Sequence, residues 1–129
     1  MYLNFGYNEV DLLKNYANET AKNMGARRNK PIVTGWCSWY QFFSQVHEKD
    51  ILQTVKYLKE LKQKNEIQVV QLDDGYEAEF GDWLMVNEKF PKGLSWLVKQ
   101  IKRAGFTPGL WMAPFAVSPD STLFEQRGR

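Results

Sequence analysis

"VVQLDDGY", residues 69–76, runs an apolar stretch straight into two adjacent acids. Val69, Val70 and Leu72 read as a strand buried on both faces, as a parallel sheet requires. Asp73 and Asp74 follow without a spacer, and Gly75 and Tyr76 turn the chain away. Acids in such a place suit four roles: a catalytic pair, a metal site, acceptors for sugar hydroxyls, or a turn in which Asp accepts backbone N–H groups.

Working outward, the strand 67–72 lies between two helical patterns. In residues 48–64, Ile51, Leu52, Val55, Leu58 and Leu61 form one apolar stripe. Acids sit in its first turn and lysines in its last, as the helix dipole favours. Residues 94–104 carry Leu94, Leu97, Val98 and Ile101 and stop at Gly105. "IVTGW", 32–36, reads as an earlier strand and "FTPGLWMAPF", 106–115, as a later one. Between them, 37–46 reads as an aromatic loop, and 73–93 as a loop long enough to carry function. Residues 8–24 form a first helix with Val10, Leu13, Tyr16 and Ala17 near one face. "ARRNKP" is a polar linker, and the tail 116–129 reads as polar with no closing element.

A helix followed by β-α-β-α-β predicts parallel strands joined by right-handed crossovers. The units repeat after roughly 35 to 40 residues, a spacing common in (β/α)8 barrels. No phosphate-binding glycine fingerprint follows the first strand, which removes the main support for a dinucleotide fold. Three strands do not close a barrel and leave two bare edges. The expected fold is therefore α/β, a partial (β/α)8 barrel: the first three strands with their helices, preceded by a linker helix. Residues 1–30 are the helix and linker, and residues 31–129 the N-terminal part of the barrel domain.

Composition narrows the function. With 43% hydrophobic and 25% charged residues the chain is an ordinary globular one. A net charge of +2 with no basic stripe gives no reason to expect nucleic acid. The start of the chain lacks a signal-peptide pattern, and no stretch is long enough to span a membrane. A single cysteine, Cys37, makes no internal disulfide and lacks zinc-site partners. A reducing, cytoplasmic compartment is the expectation. Aromatic residues reach 15%, which hints at a stacking surface.

In a (β/α)8 barrel the C-terminal strand ends form the active face. Here the first strand runs into Trp36, Trp39 and Tyr40, the second into Asp73, Asp74 and Tyr76, and the third carries Trp111. Aromatic faces stack on sugar C–H patches and carboxylates accept sugar hydroxyls, so this rim suggests carbohydrate. A glycosidase acid/base pair flanks the scissile bond, roughly 5 to 10 Å apart. Adjacent acids turned inward from one strand end approach from the same side, which suits a row of hydroxyls better. His47, the only histidine, reads as a cap or surface residue. Asp82 in "GDW" reads as an acid that orders the loop, with substrate contact as the alternative. The lysines of "KYLKELKQK" form a solvated face.

"TGWCSWY", "QLDDGYEAEFGDW", "VNEKFPKGL" and "AGFTPGLWMAPF" together resemble, in order and spacing over residues 31–117, the start of the catalytic barrel of glycoside hydrolase family 36, the microbial α-galactosidases (melibiases). The resemblance implies a retaining mechanism on α-galactosides such as melibiose and raffinose, with no metal or organic cofactor. It makes Asp73 and Asp74 acceptors for galactose hydroxyls, the 4- and 6-hydroxyls. It makes Trp39 and Tyr40 the aromatic pair shaping the pocket and Trp111 the third-strand aromatic lining it. Trp36 and Cys37 are expected to pack within the barrel. The family's aspartate nucleophile follows the fourth strand and its acid/base the sixth, so no catalytic residue is assigned in this chain. The expected partners are an α-galactoside oligosaccharide, the remainder of the barrel, and further copies of the intact enzyme. Raffinose- or stachyose-synthase-like galactosyl transfer and a non-catalytic sugar-binding remnant are the other readings.

Overall fold

The computed structural model describes residues 5–6, 8–27, 30–61 and 66–127, and these fall in two compact units, Met1–Ile32 and Val33–Arg129. The middle of the linker at 28–29, the last residues expected in the second helix, 62–64, and the final two residues of the tail lie outside the described residues.

In the first unit, α1 spans Glu9–Asn23. Asn8 caps it: its side-chain oxygen accepts the N–H of Val10 at 2.9 Å and of Asp11 at 3.3 Å. Such a cap offsets two of the four orphan donors at a helix start. Val10, Leu13 and Tyr16 of α1 are exposed, Leu13 at 68%.

The second unit opens with β1 (Gly35–Cys37), a single-turn helix α2 (Trp39–Phe42) and a 3-10 turn (Phe43–Gln45). There follow α3 (Glu48–Glu60), β2 (Val69–Leu72), α4 (Gly93–Arg103), β3 (Thr107–Leu110) and α5 (Thr122–Arg127). The strands form one parallel sheet in the order β1-β2-β3, with Cys37 opposite Gln71 and Gln71 opposite Gly109. Neighbouring parallel strands joined through α3 and α4 give the first three strands of a (β/α)8 barrel, as expected.

Alternation along β2 sorts its side chains. Val70 and Leu72 are buried with Ile51, Val55 and Leu58 of α3 and Leu97 and Ile101 of α4. Each fully buried side chain of this size contributes roughly 1.5–3 kcal/mol. Val69 and Gln71, on the opposite face, are only half-buried. Burial on both faces, expected from the apolar run, is thus not met: the helices cover one face and the inner face is open.

Two further expectations are corrected. The aromatic loop 37–46 contains α2, because the Ser38 carbonyl accepts the N–H of Phe42 at 3.0 Å and of Gln41 at 3.2 Å. One turn is too short to show helical periodicity. The tail is not without structure either: α5 forms because Asp82 caps it from 40 residues away, its carboxylate accepting Thr122 N–H at 2.9 Å and Leu123 N–H at 3.0 Å. The strands are also shorter than expected. β3 makes one further ladder bond, Trp111 N–H to the Leu72 carbonyl at 2.9 Å, before the chain leaves it ahead of Pro114.

Candidate functional site

The site is built at the C-terminal edge of the sheet. Glycines beside β2 give its inner-face side chains room. A Cβ at Gly109 would stand 3.2 Å from Val69 Cγ1 and Gln71 Cβ. Gln71 then lies beside Cys37 on the inner face, and both reach Asp73. The Gln71 amide donates to Asp73 Oδ2 at 2.8 Å and the Cys37 thiol to the same oxygen at 3.1 Å. Asp73 Oδ1 accepts the N–H of Asp74 at 2.9 Å. Its own N–H donates to the buried Ser38 hydroxyl at 2.9 Å. Asp73, 8% exposed, is a fixed acceptor whose desolvation is offset by three donors. Burial, together with the neighbouring Asp73 carboxylate, pushes the Cys37 thiol up. Cys37 was expected to be mere packing; it instead orients an acid. Trp36 does pack, edge-on to Phe42 with ring centroids 6.3 Å apart.

Asp74 faces a different environment. Burial, a hydrogen bond to the Glu77 carboxyl and the charges of Glu77 and Asp73 push it up to about 6. Glu77 curls back, its Oε2 accepting Tyr76 N–H at 3.1 Å and Gly75 N–H at 3.2 Å. Asn87 completes the turn, its amide donating to the carbonyls of Gly75 at 2.9 Å and Glu77 at 3.0 Å. Gly75 has φ +109, and a Cβ there would meet Ser44 O at 2.4 Å, so the turn requires glycine. Tyr76 is fully buried and pushed up to about 12 by burial and the charges of Glu77 and Asp74. Its hydroxyl donates to the Trp111 carbonyl at 3.2 Å, tying the acidic turn to the third strand end.

The aromatic residues divide. Trp111 joins Phe80 and Trp83 in a three-ring cluster with centroids 5.8 to 6.2 Å apart. Trp39 packs edge-on against Phe43 at 5.2 Å, and Tyr40 is 86% exposed. Sequence reasoning missed Ser38, Gln71, Glu77, Asn87, Phe80 and Trp83. Only the aromatics inside the long loop gave a usable signal. Asp82 orders the loop, and the His47 backbone N–H donates to Asp50 at 2.9 Å at the start of α3.

A recess of about 370 Å³ on the inner face is lined by Val33, Gly35, Trp36, Cys37, Val69 and Gln71. Another of about 380 Å³ lies against α3 beside Trp36, Phe42 and Tyr57. Its one carboxylate, Asp50, is already engaged in starting the helix, whereas the inner recess is lined by Cys37 and Gln71, the two side chains that donate to Asp73. Among the described residues no group of three His, Cys, Asp or Glu stands placed to hold a metal ion. No described helix is long and apolar enough to cross a membrane.

Parallel strands with acids and aromatic rings at their carboxyl edge define a segment of a (β/α)8 barrel with an acidic, aromatic rim. The melibiase family model matches residues 2–128, and the chain belongs to that family. It is 31% identical over 118 residues to α-galactosidase AgaA of Geobacillus stearothermophilus, covering 86% of this chain and 15% of that protein. Over 63 residues, 46% of this chain and 6% of that protein, it is 38% identical to an A type blood α-D-galactosamine galactosaminidase of Flavonifractor plautii. The α-galactosidase TtGalA of Thermus thermophilus, solved with p-nitrophenyl α-D-galactopyranoside, superposes with a TM-score of 0.71 at 35% identity, over 79% of this chain and 20% of that one. The chain thus spans about a fifth or less of the length of these relatives.

Proposed function

We propose that residues 31–129 are the opening part of an α-galactosidase catalytic barrel, preceded by a helix and linker at 1–30, and that they form its galactose-recognition edge. The observation that carries this is the pair Asp73 and Asp74 at the end of the central parallel strand, both held by buried partners. Asp73 keeps one oxygen bonded to a single donor, so lone pairs remain for a hydroxyl. Asp73 and Asp74 accept galactose hydroxyls, Trp111 lines the sugar, and Trp39 and Tyr40 shape the entrance. Nucleophile and acid/base belong to later strands, and the mechanism is retaining. AgaA and TtGalA support this choice, and TtGalA has also been solved with stachyose. The substrate is a terminal α-galactoside of an oligosaccharide, the enzyme is a cytoplasmic homo-oligomer, and no cofactor is assigned.

The test is steady-state kinetics and galactose binding of Asp73→Asn and Asp74→Asn in a complete barrel carrying this segment. Losing a charge-assisted hydrogen bond should weaken galactose binding roughly ten- to a hundredfold. Azide should not restore either variant. A variant that binds galactose normally, loses turnover and regains it with azide would identify a nucleophile instead.

A further inference from the structure

Glu77 is left over once the sugar acceptors are assigned. It is 7% exposed, and a buried carboxyl is costly unless it is bonded. Its side-chain bonds lead into the acidic turn. Oε2 accepts the N–H groups of Gly75 and Tyr76, and the carboxyl hydrogen-bonds that of Asp74. Its backbone is pinned from the other side: Glu77 bridges Val86, and its carbonyl accepts the Asn87 amide at 3.0 Å. The side chain therefore has a fixed origin and a single destination.

We propose that Glu77 is a positioning residue of the sugar site, holding the Asp74 carboxyl in one orientation through a shared proton while bracing the turn that presents it. The proposal rests on the reading of Asp73 and Asp74 as hydroxyl acceptors. Neighbouring carboxyls resist ionising together, so burial, the Glu77 hydrogen bond and the charges of Glu77 and Asp73 favour a proton on Asp74. The other ionisable groups around it are Asp73 and Tyr76 from the same turn, and Cys37 of β1, which reaches Asp73. Asp74 is pushed up to about 6. Above that pH the proton leaves, the two like charges repel, and Asp74 loses its fixed orientation.

The experiment is calorimetric titration of galactose into a complete barrel carrying this segment, from pH 5 to pH 7.5. The parent should bind more weakly as pH rises through about 6. Glu77→Gln keeps an oxygen for the two backbone N–H groups and offers an N–H to ionised Asp74, so its binding should lose that dependence. Glu77→Ala should bind about tenfold more weakly across the range, having lost the brace. A Glu77→Gln profile that follows the parent's overturns the proposal. Asp73→Asn separates the two ideas. If it weakens binding while Glu77→Gln changes neither level nor pH profile, only the role of Glu77 falls. If Asp73→Asn binds as the parent does, the sugar site falls and the role of Glu77 falls with it.

Discussion

Replacing Gly75 with alanine is the sharpest test of the turn. Two costs add. At φ +109 a side chain is strained, by about 1–3 kcal/mol. The new Cβ would also stand 2.4 Å from Ser44 O, 2.6 Å from Ser44 Cα and 2.7 Å from Ser44 C. These are backbone atoms, and the Ser44 carbonyl is further held by the Lys89 ammonium, so nothing swings aside. Overpacking of this kind costs about 1–3 kcal/mol more. The sum, about 2–6 kcal/mol, is a large share of the 5–15 kcal/mol typical of a folded domain. Gly105→Ala is the matched control: φ there is +94, yet no atom beyond its chain neighbours lies within 4 Å of its Cβ. Urea unfolding followed by tryptophan fluorescence, in a complete barrel carrying this segment, compares the two. Gly105→Ala should show the backbone cost alone, and Gly75→Ala that cost plus the clash. Equal midpoints for the two variants would refute the close packing of the turn against Ser44.

Three other outcomes are expected. Asp74 moves up from 3.8 to about 6, so the folded chain holds this proton more tightly than the unfolded one; the contribution of this group to stability is fully present below about pH 4 and is lost as pH rises to about 6. That interval corresponds to about 3 kcal/mol, reduced to about 1 kcal/mol because solvent reaches Asp74. Asp74→Asn should therefore raise the urea midpoint at pH 7.5 but not at pH 3.5, and an equal effect at both would contradict it. Residues 1–129 alone should give no turnover of p-nitrophenyl α-galactoside, since no nucleophile is assigned among them; turnover free of host enzyme would overturn that. The same chain should be loosely packed, with open sheet edges and Leu110 at 43% exposure; a monomeric elution volume with cooperative unfolding would count against this.

The strand order and the carboxyl-edge position of Asp73 and Asp74 were legible in the sequence because they follow from local patterns. An apolar run, a helix stripe and a glycine stop are each written within a dozen residues. Bonds between distant residues were not legible. Nothing near Asp82 announces that it caps a helix starting at Thr122, and nothing near Gln71 or Cys37 says that both donate to Asp73. Glu77 gave no signal of its own, because its burial accompanies the bridge to Val86 in the folded loop. The single turn at Trp39–Phe42 was hidden for the opposite reason, being too short to repeat its own pattern.

Tyr76 and Trp111 share a hydrogen bond, Phe80 accepts Ser118 N–H through its carbonyl, and Asp82 holds Thr122 and Leu123. The excursions after the second and third strands are consequently spliced into one module. Recombining a barrel one loop at a time treats each loop as an independent cassette. In this chain a crossover placed between Tyr76 and Trp111 would separate donors from acceptors on both sides of the seam. Chimeras that inherit residues 73–127 as a block keep every one of these links, so the natural unit of exchange is the pair of excursions.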